Sequence, residues 1–401
     1  MSILAVTANV GSIFEDPDKM LKVWIDEFLQ EIERLKPLFV AIHCQEVGGK
    51  VYEKSMQHVD QFVEQLGRSE RIKDYDRSLF VLDENFEDLT KFTALGNIYL
   101  LHESLTDAEV WNFKSEQFQK IEGLNVHTKN LQDVQIIQKV RFPDEYYKQT
   151  TWTRKGYMRL RWKIGNLNID FVNVHLFHDA SNLTAYEESP STFSYSRRRA
   201  LEQILNGFES DNLPDAPLFI FGDFNFRLDL RSVVDILCPP EEDRYSKKKT
   251  KEKLVFRDVD NSDEAVLTIE KKVFDYGDHS VFYKNNGEKM RECDREADYF
   301  KDRLSECPRN FPPSYPYCED VAAGTTYMKT RCPAWCDRIL LNNAAVPLVK
   351  HNSKSTYTYD VIGKDVCMGD HKPVCLHFKL PSGWRDPNNG SNNNNSNPGD
   401  S

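Results

Sequence analysis

The chain has 401 residues, 40% apolar and 12% aromatic, with 52 Lys and Arg against 63 Asp and Glu and a formal net charge of −11. Such a composition can bury a sizeable core, which excludes a chain disordered throughout. Its acidity also excludes binding a polyanion by overall charge, so a polyanionic substrate would need a local basic patch, a metal ion, or both. In chain order, residues 3–9 read as a short buried strand. Asp16-Pro17 supplies an N-cap followed by proline at the first helical position. Leu21, Trp24, Ile25, Phe28, Leu29, Ile32 and Leu35 then recur at the spacing of one helix face until Pro37 stops them. Residues 38–43 form a second apolar run that delivers Gln45-Glu46 into a loop, and Val59, Phe62, Val63 and Leu66 predict another helix closed by Gly67. Strand, helix and strand in succession point to the α/β class.

Further along, residues 157–164 and 167–176 flank Gly165-Asn166, a two-residue hairpin turn. His175 shares a strand face with Phe171 and Asn173. Residues 217–221 read as an interior strand ending at Gly222-Asp223, and 338–341 and 374–378 as two late strands. Residues 239–309 are charge-rich and read as a surface excursion of loops and helices, with Lys247-Lys248-Lys249 in a solvated loop. Residues 1–380 are expected to form one catalytic domain. The last 21 residues, seven of them asparagine, have almost no apolar content and are expected to be disordered. Met1 is followed by SILAVTANV, which lacks the basic and long apolar regions of a secretory leader. No run approaches the roughly 18 apolar residues of a membrane span. An intracellular protein with reduced thiols is expected from these features and from nine scattered cysteines.

Four apolar runs end in acidic, amide or imidazole groups: HCQE at 43–46, FIFGDFN at 219–225, PAWCDR at 333–338 and MGDHKP at 368–373. Oxygen donors arriving from several strand ends suit a hard divalent ion that keeps part of its water, hence Mg²⁺. Asp223 and Asn225 lie two apart and can face one side where strand gives way to loop. The first can accept a proton and the second can only position. Taken singly each run is weak, because a carboxylate after a strand is more often a cap or a solvated loop residue. Their combination carries the reading. Cys332 and Cys336 lack a second pair at zinc-site spacing, so zinc is not expected.

TANVGS, HCQE, NVHLFHDASN, FGDFNFRLD, FPPSYPY, RCPAWCDRIL and VCMGDHKPV together resemble the inositol polyphosphate 5-phosphatases, within the Mg-dependent endonuclease/exonuclease/phosphatase superfamily. The likeness runs over most of residues 3–380 and is strongest to the type I members, which act on inositol 1,4,5-trisphosphate. It implies a four-layer α/β/β/α sandwich with the site where strand-end loops of two packed sheets meet. It also implies that Glu46 is the principal Mg²⁺ ligand, assisted by Asn9 and by Asp370 directly or through water. Asp223 would activate the attacking water, Asn225 orient the water or the phosphate, and His175 and His371 grip the scissile phosphate. Asp337 would hold the His371 imidazole, and Arg154, Lys155 and Lys372 are candidate contacts for the other phosphates.

The reaction implied is removal of the 5-phosphate from soluble inositol 1,4,5-trisphosphate, and from the 1,3,4,5-tetrakisphosphate, ending a calcium signal. A cytoplasmic monomer is expected, free or peripheral at the plasma membrane, without nucleic acid as a partner. In-line attack on a phosphate monoester needs charge neutralisation and positioning more than covalent help, and a metal with imidazole donors supplies both. Relatives that act on lipids carry a lysine in a segment like FPPSYPY, where this chain has no cation. Arg154-Lys155-Gly156 also runs into Tyr157 where a second glycine is usual. Both departures favour soluble substrates over lipid headgroups. The sequence ends NPGDS, without the C-a-a-X prenylation signal common in type I relatives. A superfamily nuclease would need a basic face, which the net charge disfavours. A non-catalytic inositol phosphate binder is disfavoured by the intact Glu46, Asp223, Asn225, Asp370 and His371. Deleting residues 381–401 is expected to leave melting temperature and phosphate release nearly unchanged; a large drop in melting temperature would show that the tail docks.

Overall fold

A computed structural model describes residues 1–150, 152–211, 215–350 and 357–380; the tail at 381–401 lies outside the described residues. Among the described residues the strands form three sheets. The first runs β18 (Tyr357–Val361), β19 (Val374–Lys379), β1 (Ser2–Asn9), β2 (Phe39–Gln45), β4 (Gly96–Leu101), β3 (Arg77–Leu82), β7 (Leu124–His127). The second runs β16 (Leu304–Glu306), β17 (Asp337–Asn342), β11 (Leu218–Asp223), β10 (Leu167–His175), β9 (Gly156–Ile164), β5 (Ala108–Asn112), β6 (Gln117–Gln119), with β8 (Gln138–Arg141) also paired to β9.

These two sheets face each other, with helices on the outside, giving the α/β sandwich expected. Phe39 of β2 lies against Trp162 and Phe171 of the second sheet at ring separations of 5.2 and 5.8 Å. Along β1, Ile3 and Ala5 join the core between the sheets, while Leu4, Val6 and Ala8 join the core beneath the outer helices. A strand buried on both faces shows no polar alternation, which is why 3–9 and 38–43 read as continuous apolar runs. Helix Pro17–Leu35 buries Leu21, Trp24, Ile25, Phe28, Leu29 and Ile32 on that outer face, and ends at Lys36 in the left-handed conformation. Asp16 occupies the N-cap position, but its side chain makes no capping bond and pairs with Lys19 at 2.8 Å instead. On the opposite side, helix Thr192–Glu209 is capped by the Ser191 side chain and buries Ala200, Leu201, Ile204 and Leu205.

The excursion at 239–309 differs from expectation. Part of it is a four-stranded antiparallel sheet, β12 (Tyr245–Lys249), β13 (Lys253–Asp258), β14 (Glu264–Glu270) and β15 (Val273–Tyr276). Leu254 and Phe256 on β13 and Leu267 and Ile269 on β14 are buried at alternate positions, with a buried Val255 and a half-buried Thr268 between them. These apolar stretches are short, and the charges at the strand ends hid them. Lys247 donates to the Tyr186 hydroxyl at 2.8 Å and Lys249 pairs with Glu187 at 2.7 Å, so the lysine run is a strand docked on a helix rather than a solvated loop.

Parallel strands β10 and β11 pair Val174 with Gly222. A Cβ at Gly222 would overlap the Val174 carbonyl oxygen, so the close approach of these strands requires glycine there. Gly222→Ala is expected to cost about 1–3 kcal/mol through overpacking, read as a lower melting temperature. An unchanged melting temperature would mean that the strands part without cost.

Candidate active site

Strand register brings the chemistry to one end of the sandwich. In the second sheet His175 lies beside Asp223, and Asp223 beside Asp337. In the first sheet Asn9 pairs with Gln45, and Thr7 pairs with Val374, so Glu46 and His371 emerge at that same end.

Glu46 stands on a β-bulge. Cys44 is paired with Gly96, and the next bond runs from Val47 N to Ala94 O at 2.9 Å, so Gln45 and Glu46 together oppose Leu95. Glu46 takes a φ of 58°, and the kink turns its carboxylate into the cleft. That carboxylate meets Arg154 at 3.1 Å and His175 Nε2 at 3.8 Å. Burial alone would raise its pKa, but Arg154, His175, Lys155 and Lys50 bring it down to about 2. A Cβ added to Gly11 would lie 2.8 Å from Glu46 Oε2 and 3.3 Å from Asn9 Oδ1. Two hard oxygens therefore converge on one small space that glycine leaves free, a donor set that fits a divalent cation such as Mg²⁺.

Asp223 accepts from Asn225 N at 2.9 Å and from Asn9 Nδ2 at 3.2 Å, with His175 Nε2 also at 3.2 Å. Burial would raise its pKa, yet His175, His371 and Lys155 hold it far below the usual carboxylate range. The two histidines are set oppositely. Burial and the neighbouring Lys155 ammonium lower His175 to about 4, so it is neutral at pH 7. Burial also opposes charge on His371, but Asp337 and Asp223 outweigh it and raise the pKa to about 9. His371 Nδ1 lies 2.9 Å from Asp337 Oδ2, so the imidazolium spends one N–H on Asp337 and offers its Nε2–H to the cleft.

Arg154 and Lys155 lie in the site with Glu46 and His175. Asp370 reaches its rim, where Ser12 Oγ donates to it at 2.9 Å and Lys50 pairs with it at 3.0 Å. Lys372 does not fit a phosphate-contact role: its buried ammonium donates to the carbonyls of Gly363, at 2.7 Å, and Val366. His371 and Lys372 are adjacent, but the backbone turns Lys372 inward to those carbonyls. Sequence reasoning missed Ser314, which donates to Asp337 Oδ2 at 2.7 Å and accepts from Asp337 N at 3.2 Å. It also missed Arg227, whose guanidinium donates to Asn225 Oδ1 and lies 4.6 Å from the Tyr315 ring centre, which in turn lies 4.5 Å from His371. Both sit inside quoted motifs, FPPSYPY and FGDFNFRLD, so motif membership was the available signal.

With its folded-state pKa raised above the ordinary 6.5, the His371 pair with Asp337 stabilises the fold below about pH 6.5, down to where Asp337, itself held up by burial, protonates, and loses that contribution as pH rises through about 9. In chelator-treated protein, Asp337→Asn is therefore expected to melt lower than the parent at pH 6 and to converge with it above about pH 9. A constant gap across that range would show that His371 is not held protonated by Asp337.

Residues 259–377 match the family described as Endonuclease/Exonuclease/phosphatase family 2. Inositol polyphosphate-5-phosphatase A of Rattus norvegicus is 47% identical over 391 residues, spanning 96% of this chain and 95% of the rat protein. The probable type I inositol 1,4,5-trisphosphate 5-phosphatase of Caenorhabditis elegans is 35% identical over 416 residues, spanning 94% of this chain and 99% of the nematode protein. A solved structure, the inositol polyphosphate 5-phosphatase domain of spsynaptojanin in complex with inositol (1,4)-bisphosphate and calcium ion, shares the fold with a TM-score of 0.50. Its identity is 13%, with 94% of this chain and 85% of that one covered. Sharing nearly half its residues with the rat protein along almost its whole length, the chain belongs to the inositol polyphosphate 5-phosphatase family.

Proposed function

We propose that the chain is a Mg²⁺-dependent phosphomonoesterase that removes the 5-phosphate from soluble inositol 1,4,5-trisphosphate, and from the 1,3,4,5-tetrakisphosphate, in the cytoplasm. The observation that carries this reading is an ionised Asp223 set between a neutral His175 and a protonated His371, beside the Glu46–Asn9 oxygen pair. Asp223 accepts the proton of the attacking water, and the Asn9 and Asn225 bonds fix the direction of its carboxylate. The free Nε2–H of His371 donates to an oxygen of the scissile phosphate as charge builds there. Asn225, anchored by its own Nδ2 to Leu176 O at 3.1 Å and by Arg227 at its Oδ1, is held rigid beside that phosphate. Glu46 and Asn9 would hold Mg²⁺, with Asp370 at its edge. When bound, the ion neutralises charge on the phosphate and leaving oxygens.

Arg154, Lys155 and Arg227 gather positive charge around this cleft in a protein of net charge −11, which suits a ligand with several phosphates. The relatives named above act on inositol polyphosphates, and the bisphosphate bound by the spsynaptojanin domain carries the phosphates that remain when the trisphosphate loses its 5-phosphate. A compact soluble anion fits this local charge better than a bilayer, which rewards basic surface by about 1 kcal/mol per residue.

The test is phosphate release, with and without Mg²⁺, from inositol 1,4,5-trisphosphate and from phosphatidylinositol 4,5-bisphosphate vesicles at matched concentration. Release from the soluble substrate alone, dependent on Mg²⁺, is expected. Comparable kcat/KM on vesicles would overturn the soluble-substrate reading, and metal-independent release would overturn the role of Mg²⁺. Asp223→Asn is expected to lower kcat by about 10²–10⁴ with substrate binding retained. Retention of more than about a tenth of kcat would assign the base elsewhere.

A further inference from the structure

We infer that Asn173 is a positioning residue: from the sheet that carries His175 and Asp223, its side chain holds the bulge in the other sheet that aims Glu46. Asn173 is fully buried. Its Nδ2 faces Cys44 O and Gly96 O, each at 3.0 Å, and Asn97 Oδ1 at 2.9 Å, while its Oδ1 accepts from Gln45 Nε2 at 2.8 Å. Cys44 and Gly96 form the last regular pair before the bulge. A bulge strips local backbone groups of their ladder partners. A side-chain amide, with two N–H donors and one acceptor, can replace those partners where an apolar residue or a carboxylate cannot.

The attachment continues on both sides. Gln45 Nε2 also donates to His43 O at 3.1 Å, and Thr7 Oγ1 donates to Gln45 Oε1 at 3.3 Å. The His43 ring stacks on Phe221 with centres 3.5 Å apart, and its Nδ1 lies 3.1 Å from Phe221 O, two residues before Asp223. This polar seam is buried between two sheets that otherwise meet through apolar side chains. Gly96 contributes by having no side chain, since a Cβ there would lie 2.5 Å from Leu82 Cδ2 and 3.0 Å from Val47 Cγ2. Asn173 therefore sits one residue from Glu46 through Gln45 and two residues from His175 along its own strand. One amide fixes the offset between a carboxylate on the first sheet and an imidazole on the second. The inference rests on the proposed role of Glu46 as a metal ligand.

The experiment measures the Kd of Mg²⁺ by calorimetry on the chelator-treated full chain, together with kcat and KM for inositol 1,4,5-trisphosphate and the melting temperature. Asn173→Leu keeps the volume and removes the amide, and it is expected to raise the Kd about 10–100-fold with KM within about twofold of the parent. Gln45→Leu removes the partner of Asn173 Oδ1 and serves where Asn173→Leu does not fold; the same shift is expected. In the Glu46→Gln background, Asn173→Leu is expected to add little further loss of affinity, because both act on one ligand. A lowered melting temperature with an unchanged Kd would make Asn173 merely structural and overturn the inference. Glu46→Gln with an unchanged Kd would overturn the ligand reading itself and this inference with it, whereas a shift in Glu46→Gln alone would overturn only the role of Asn173.

Discussion

The alignment of β10, β11 and β17 is the constraint on which the site depends. His175, Asp223 and Asp337 are neighbours because three strands end in register, two of them parallel and the third reversed. A slip of one residue would turn any of these side chains to the other face of the sheet. The same register confines Asp223 and Asp337 to adjacent buried positions, where two carboxylates would repel each other without cations between them. His371 and Lys155 supply that compensation from two other segments. Fold and chemistry are thus coupled: the charges that make the site reactive also hold its strand ends together.

Two imidazoles in one cleft differ in charge, one neutral and one positive, and the difference lies in what each ring touches. His175 faces an ammonium, and His371 a carboxylate fixed by the Ser314 hydroxyl. Burial penalises the cation in both cases, so the partner decides the outcome. The cleft can therefore present one charged donor and one neutral ring at the same pH, without relying on overall protein charge.

Much of this was legible in the sequence, for physical reasons that differ by element. The strands buried on both faces announced themselves as apolar runs, and helix Pro17–Leu35 by its recurring apolar face. Glu46, Asp223, Asp337 and His371 were legible because each follows or precedes such a run, where a strand must end and expose its next side chain, whereas Asn9 and His175 entered only through the family resemblance. Three kinds of feature were not. Strands β13 and β14 hid short apolar stretches between charged ends. Lys372 follows His371 directly, and nothing in a one-dimensional string tells which way a turn sends consecutive side chains. Arg227 and Ser314 act on Asn225 and Asp337 through contacts that only the packed loops create.

The pairing of β1 with β19 has a consequence for biosynthesis. Ser2 lies against Lys379 and Thr7 against Val374, so β1 must wait for a segment made long after it. Pairing β1 with β2 needs only the next strand in the chain, which can place Asn9 beside Gln45 soon after both are made. His371 arrives only when the segment before β19 has left the ribosome. Contacts of such long sequence separation carry a loop-closure cost and form slowly. Until they form, β1 presents an open edge to its surroundings, a place where nascent chains are prone to pair wrongly. Completion of the active site and closure of that edge are one event, so an interrupted chain would be both inactive and a substrate for chaperones.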